Sequence, residues 1–278
     1  SVINATGWSE VGLSYSTVLT KEKSVHFMKA GVSVKYLAGT ANSYLNMKNI
    51  NGTIGNSALN GTYLTGTTGS LDINTTNANF NDYTIKDFFN FKGHGVGTDI
   101  GFVYEFRPES MTKGNEQYVD DRFANKYKLK VGLSLLDVGT IKFSRDSESS
   151  ASYAVNIPTG LQFQVSKFKD QSVSKYTRIL DTSIYFTRTA NTGDKYNVVL
   201  PTTLQFNVDY NVMKNIYVNA GGQFAFSEKK NLNMYAYNVF NITPRFENKT
   251  FTAALPVSYS TLTDLTVGLS LRAGPFFV

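Results

Sequence analysis

The sequence predicts an all-β protein: an antiparallel transmembrane β-barrel with about 12 strands in these residues and about 14 in the full protein. Three observations predict it: a strict alternation of polar and apolar residues, candidate strands longer than those of most soluble sheets, and short polar turns between them. The segment Thr202–Phe226 shows all three, because its apolar and polar residues alternate on both sides of a short turn at Met213–Asn215. A period of two is typical of a strand with one apolar and one polar face.

The alternation recurs in order along the chain. The strong candidate strands cover residues 11–19, 26–38, 98–106, 127–137, 202–212, 216–226, 251–259 and 265–274. Weaker strands are expected near Asn42–Ile50, Thr62–Ile73, Thr140–Arg145, Pro158–Val165, Ile184–Thr189 and Tyr235–Phe246. In Lys167–Asp181 the apolar residues have near-helical spacing, which predicts a short helix on a loop. No linker divides the chain, so residues 1–278 are expected to form a single domain.

The connections predict which end of each strand faces which side of a membrane. Such barrels have short periplasmic turns and long extracellular loops. Three short turns are therefore expected on the periplasmic side: Lys21–Lys23, Met213–Asn215 and Leu262–Thr263. Strand counting places Phe246–Lys249 outside, together with the longer segments Asn51–Leu59, Asn74–His94 and Arg145–Asn156, and it places Pro108–Asn125 in the periplasm.

Composition narrows the functional class. The chain has no cysteine, so disulfides and thiolate chemistry are excluded. Charged residues make up 17% of the chain, fewer than the roughly 25% of a typical soluble domain. The formal net charge is +6, but the basic residues are scattered, which argues against a nucleic-acid partner. No apolar run reaches the roughly 18 residues of a membrane-spanning helix.

Two environments compete for the apolar face. In a soluble sandwich it would be the core, whereas in a membrane barrel it would meet lipid and the polar face would line the lumen. Strand length, a polar set rich in Gly, Ser and Thr, and aromatic residues near strand ends favour outer-membrane lipid as the partner. These aromatic residues are Tyr15, Tyr36, Phe106, Tyr127, Tyr210, Phe226, Phe246 and Tyr259.

The alternation assigns residues to each face. A polar network in the lumen is predicted for Asp99, Glu105, Lys128, Lys130, Asp209 and Arg272. Lipid-facing positions are predicted for Phe102, Leu133, Leu204, Phe206, Val208, Leu265, Val267 and Leu269. The only histidines, His26 and His94, are interpreted as solvated or membrane-interface residues. No residue pattern indicates a catalytic, cofactor or metal site, so the chain is not expected to be an enzyme or to bind a cofactor.

Several stretches, in order, carry a resemblance that covers most of the chain. They are Val32–Thr40, Gly93–Glu109, Val131–Phe143, Leu200–Val218, Ile242–Ser260 and Val267–Val278. Together they resemble a family of Bacteroidota outer-membrane β-barrels of unknown function, whose architecture is similar to the wider FadL and PorV barrels. Some members carry a C-terminal OmpA-like peptidoglycan-binding domain. The resemblance implies that this chain is part of a longer protein, and it brings no catalytic residues.

The resemblance and the sequence leave three functions open. The first is an outer-membrane scaffold, serving envelope integrity or an assembly complex, with other envelope proteins or peptidoglycan as partners through a domain not present here. The second is FadL-like transport of a hydrophobic or small solute across the outer membrane, which rests on fold analogy. The third is a soluble β-rich adhesin or lectin. The bacterial outer membrane is the expected location for the first two.

Overall fold

The computed structural model shows an all-β protein built on one antiparallel sheet. The structure describes the following residues, apart from the side chains of Val173 and Ser174: 2–22, 24–58, 61–76, 85–86, 89–108, 125–189, 194–226 and 234–278. The sheet holds 17 strands, and a nine-residue α-helix at Val173–Asp181, which we call α1, and a 3-10 helix at Val165–Phe168 lie beside it. Neither of these helices is long and apolar enough to cross a membrane.

The strands differ greatly in length. They are β1 Val2–Val18, β2 His26–Ser57, β3 Gly61–Thr75, β4 Gly93–Phe106, β5 Leu129–Ser144, β6 Ala151–Ile157, β7 Phe163–Gln164, β8 Phe186–Thr189, β9 Lys195–Val199, β10 Thr203–Met213, β11 Ile216–Ala225, β12 Val239–Glu247, β13 Phe251–Ala254, β14 Val257–Ser260, β15 Asp264–Val267, β16 Ser270–Ala273 and β17 Phe276–Phe277. Helix α1 covers Val173–Asp181. It confirms the helix predicted within Lys167–Asp181.

The sheet follows one continuous path across the chain. Its neighbours in order are β1, β2, β4, β5, β10, β11, β12, the pair β13 and β14, and the pair β15 and β16. In each pair, one row of the sheet is interrupted, and in the first the interruption falls at Leu255 and Pro256. The all-β antiparallel prediction is confirmed, but the described sheet is not closed. The strands also outnumber the 12 expected, because two rows are each broken in two and because the short strands β6, β9 and β17 were not predicted.

At one end, β2 extends beyond β4 and is paired there with β3. Next to β3 lie β6 and β7, and β8 pairs with β6. We call β3, β6, β7, β8, α1 and the 3-10 helix the cap. Strands replace two expected loops here: β2 continues through most of Asn51–Leu59, and β6 begins within Arg145–Asn156 and extends to Ile157.

Two of the short turns lie at ends that differ from the prediction, whereas the turn between β1 and β2 and Met213–Asn215 share one end as predicted. Ile216 pairs with Phe246, so the Phe246–Lys249 turn lies at the same end of the sheet as Met213–Asn215. Leu262–Thr263 joins β14 to β15 at the opposite end. The predicted phase was wrong by one strand from β12 onward. Most of Pro108–Asn125 and much of Asn74–His94 lie outside the described residues.

We call the end of the sheet that carries the cap the upper end, and the end with the Met213–Asn215 turn the lower end. Two clusters of buried apolar side chains pack against the upper half of the sheet. The first fills the cap, where Tyr153 and Ile157 of β6 and Leu180 of α1 are almost completely buried against one another and their neighbours. The second, which we call the plug, contains Leu37, Ile141, Phe143, Tyr196, Val198 and Leu200. Its central ring, Phe143, lies against Gly39 and Gly93, which are paired with each other on β2 and β4. Neither position has room for a side chain beneath that ring.

The plug gives a stability prediction. A methyl group at Gly39 would lie 2.5 Å from Cε1 of Phe143, so Gly39→Ala should lower the free energy of unfolding by about 1–3 kcal/mol through overpacking. Gly132→Ala is the matched control, because its new methyl would approach Cβ of Asn207 only to 3.8 Å. Urea unfolding in detergent micelles measures both variants. Equal unfolding midpoints would contradict the packing described for Phe143.

The cap gives a pH prediction. Burial raises the pKa of Tyr153 to about 12, and its hydrogen bond to Asp181 Oδ1, 2.9 Å long, acts in the same direction. Since the folded pKa exceeds the unfolded value of about 10, this stabilisation is present below pH 10 and is lost between about pH 10 and 12. Tyr153→Phe should flatten the stability–pH curve in that range, and an unchanged slope would contradict the assignment.

Candidate functional site

The sheet has two chemically different faces. The inner face carries Asp99, Glu105, Lys130 and Asp209, and the outer face carries Phe102 and Leu133. The assignment follows from the register, because Glu105 pairs with Lys130 and Lys130 pairs with Asp209, which places all three side chains on one side. Inner-face residues of β5, β10, β11, β12 and β14 surround an open cavity of about 590 Å³, so this face is concave.

An ion cluster lies at mid-height on the inner face, around Lys35. Its ammonium lies 2.8 Å from Asp99 Oδ2 and 2.9 Å from Asp137 Oδ1, with Glu10 Oε1 at 3.8 Å. Asp137 has a left-handed backbone (φ 55°), which Asp99 holds by accepting a 2.8 Å hydrogen bond from its backbone N–H. Two carboxylates therefore fix one lysine at a bulge in β5.

A second cluster lies at the lower end of the inner face, where Arg245 binds Asp209. Both carboxylate oxygens of Asp209 accept from this guanidinium, at 3.0 and 2.7 Å. The Tyr127 hydroxyl donates to Asp209 Oδ2 at 2.6 Å, and Arg245 Nε donates to Glu247 Oε2 at 2.9 Å. Asp209 is buried, and this bidentate geometry satisfies its charge.

Beside this cluster, Arg107 and Lys130 surround the buried carboxylate of Glu105. The Arg107 guanidinium pairs with Glu105 Oε2 at 2.5 Å and lies 3.6 Å from the centre of the Phe27 ring. Lys130 Nζ lies 3.8 Å from Glu105 Oε1. The two clusters form a belt of charged pairs across β4, β5, β10 and β12, at the end where the Met213–Asn215 turn lies.

Two predicted members of the lumen network do not join it. The Lys128 ammonium donates to the Val212 carbonyl and lies 4.8 Å from the centre of the exposed Tyr210 ring, so it lies at the outer rim. The predicted alternation fails here because β5 begins only at Leu129 and Tyr127 takes the inner position. Arg272 is paired in register with Thr252 on the inner side of β16, but it is exposed and has no ion-pair partner among the described residues.

Between the ion cluster around Lys35 and the belt of charged pairs near the Met213–Asn215 turn, the inner face is polar and uncharged. Gln205 Nε2 donates to Gln223 Oε1 at 2.9 Å, and Asn207 and Asn219 exchange two amide hydrogen bonds of 3.2 and 3.0 Å. Glycines lie between these amides and leave the cavity open. The surface offers hydrogen-bond donors and acceptors without a fixed charge.

The predicted lipid-facing residues share the outer face. One register row links Phe102, Leu133, Phe206, Gly222, Phe240, Tyr259 and Leu265 across seven strands. Five of the eight predicted residues are exposed: Phe102 38%, Leu133 47%, Leu265 68%, Val267 59% and Leu269 67%. Leu204, Phe206 and Val208 are half-buried. Phe206 and Phe240 lie over Gly222, and Phe206 stacks on Phe224 at 5.7 Å between ring centroids.

Sequence reasoning missed several members of the inner network. Lys35, Arg107, Asp137 and Arg245 were not predicted as members, and Tyr127 was expected among the aromatic residues near strand ends that face lipid. The alternating residues Thr243, Arg245 and Glu247 provide the signal that would have found Arg245. Among the described residues, no group of three or more His, Asp or Glu side chains has a geometry suited to a metal ion.

The buried pair gives a prediction. Asp209→Asn leaves the Arg245 guanidinium without its carboxylate, and breaking a buried pair costs about 3–5 kcal/mol. Lys48→Ala is the control, since the Lys48–Asp72 pair is half-exposed on its lysine side and such pairs contribute about 0.5 kcal/mol. Unfolding in urea should separate the two variants clearly, and equal losses of unfolding free energy would contradict a structural role for the belt of charged pairs.

Comparison with known proteins gives one match. No curated protein and no solved structure matches the chain. Residues 2–278 match a family of unknown function, DUF5723, over nearly the whole length. The predicted membership of a family without an assigned function is thereby supported, while the likeness to FadL and PorV barrels stays a proposal. The chain belongs to the family of unknown function DUF5723.

Proposed function

We propose that the chain forms an integral β-barrel of the bacterial outer membrane with a structural role, in envelope integrity or as a subunit of an assembly complex. The observation that carries this proposal is the distribution of polarity. Apolar side chains are exposed over the outer face of seven consecutive strands, whereas ion pairs and amides occupy the concave side. A soluble sheet protein has the opposite arrangement. A continuous apolar surface of this kind needs a cover, and lipid provides it.

The plug favours a scaffold role rather than an open pore. Leu37, Ile141, Phe143 and Val198 lie on the inner face and are completely buried. They fill the space beside the wall formed by β2, β4, β5 and β9 with packed apolar side chains rather than water. A porin interior, in contrast, is polar and filled with water. Partners of such a scaffold would be other envelope proteins, or peptidoglycan through a domain outside these residues.

The alternative proposal is transport of a small or hydrophobic solute. The specific observation in its favour is the cavity of about 590 Å³ on the inner face. Gln205, Asn207 and Asn241 line it with uncharged hydrogen-bonding groups, while Val239 provides apolar contact. Such a surface suits a small neutral solute.

Planar-bilayer recording of the reconstituted full chain separates the two proposals. A scaffold closed by the plug should give no steady conductance, and Phe143→Ala should introduce brief openings. Phe102→Ala removes the same side chain from the outer face and should stay silent, so it is the matched control. Steady conductance of the unmodified chain would favour transport and overturn the scaffold proposal.

A further inference from the structure

The outer face of the sheet is divided into a bare part and a covered part. On the bare part, Val34 is 56% exposed and Ile100 is 52% exposed. Higher up, Leu45 and Ile73 are paired on β2 and β3, and they belong to the core that α1 and Phe163 cover. The face is continuous, because Leu45 also pairs with Ile3, which shares the unbroken alternation of β1 with Leu13.

This division carries a physical argument. In the cap, helix α1 and the residues around it cover the apolar outer face and remove it from water. Below the cap, the same face of the same strands is left bare over a large area. A protein that covers one part of an apolar face and leaves the adjoining part open is adapted to two solvents. The cap is adapted to water, and the bare part is adapted to an apolar surrounding.

Two histidine–tyrosine pairs stand at the limits of the bare part on β2 and β4. At the lower limit, His26 Nδ1 and the Tyr104 hydroxyl are 2.8 Å apart. At the upper limit, His94 Nδ1 and the Tyr36 hydroxyl are 2.5 Å apart. These are the only two histidines in the chain. Tyrosine rings with a hydrogen-bonded polar tip suit the border between hydrocarbon and water.

The outward side chains between the two pairs are uncharged on both strands. They are Met28, Ala30, Val32 and Val34 on β2 and Val96, Thr98, Ile100 and Phe102 on β4. Charge and polarity begin at the borders. The register row of His94 continues into Lys142 and Asn197, both exposed, and below the lower border the Lys128 ammonium lies against the Tyr210 ring.

The spacing of the borders fits one membrane. Tyr104 is level with Met28, which lies eight residues before Tyr36 on β2. At about 3.3 Å per residue, the borders are about 26 Å apart along the strand. A strand tilt of about 35–45° reduces this to about 20 Å along the membrane normal, close to the apolar band of about 25 Å in such barrels.

The geometry points to a lipid belt with defined edges: the His26–Tyr104 and His94–Tyr36 pairs mark its borders, and acyl chains cover the outer face between them. The cap then stands wholly in water beyond the upper border, with its own apolar surface already covered. This inference rests on the proposed membrane location, which it makes specific by naming the residues at each edge.

Tryptophan fluorescence in vesicles tests the borders. The chain has a single tryptophan, Trp8, and in a Trp8→Phe background one new tryptophan reports one position. We expect Ile100→Trp, in the belt, to be quenched at least twofold in vesicles of phosphatidylcholine brominated in its acyl chains. Lys142→Trp, in the register row of His94 at the upper border, should be quenched clearly less. Ile54→Trp, on the exposed upper end of β2, should respond only to acrylamide in the water.

The outcomes separate a failure of the lipid-belt borders from a failure of the proposed membrane location. Quenching of the Ile54 or Lys142 variant as strong as that of the Ile100 variant would overturn the borders but leave a membrane protein. If the Ile100→Trp chain floats with the vesicles but its new tryptophan is not quenched, the lipid belt is also overturned. Failure of the unmodified chain to associate with vesicles would contradict both the belt and the proposed function. The unmodified chain is a further control, because Trp8 packs against the plug on the inner face and bromine in the acyl chains should not reach it.

Discussion

The antiparallel register is the constraint on which the rest of this structure depends. Because side chains alternate across a strand, a single register fixes which face every residue of the sheet occupies. The row from Phe102 to Leu265 and the row from Glu105 to Asp209 are two consequences of the same pairing. A slip of one residue in β10 would place Asp209 on the apolar face and Phe206 among the amides, so the charged belt and the apolar outer face stabilise the register together.

Two bulges, one in β2 and one in β5, interrupt this alternation. Thr40 has no partner on β1, and the bulge at Asp137 shifts β5 against β4. Each reverses the alternation of its strand, so apolar residues that would otherwise face outward, such as Ile141 and Phe143, turn inward to form the plug. Asp99 and Lys35 hold Asp137 in its left-handed conformation. The ion cluster is therefore the device that ends the polar part of the inner face and begins the apolar one.

The sequence predicted what alternation alone determines and failed where another effect takes over. The faces of β4, of β10 and of β5 before its bulge follow directly from the period of two. Lys128 was misassigned because the strand starts two residues later than predicted, and the buried Tyr127–Asp209 hydrogen bond turns Tyr127 inward. Local patterns do not show bulges, which depend on contacts between distant residues such as Lys35 and Asp137. Within the cap, strands near β3, β7 and β8 and the helix α1 were predicted, whereas most of β6 was read as part of the Arg145–Asn156 loop because the strand is short and its burial comes from α1.

The direction of the edge strands limits how such a sheet can close. Eight antiparallel steps separate β1 from the row of β15 and β16, so these two edges run in the same direction. Joining them directly would make a parallel pair in an otherwise antiparallel sheet, so antiparallel closure requires an odd number of strands between them. The short β17 pairs with β16 through Phe276 and Phe277 and runs in the direction that the first such strand must take. A barrel completed in this way has an even number of rows, as expected for bacterial barrels and satisfied by about 14 strands.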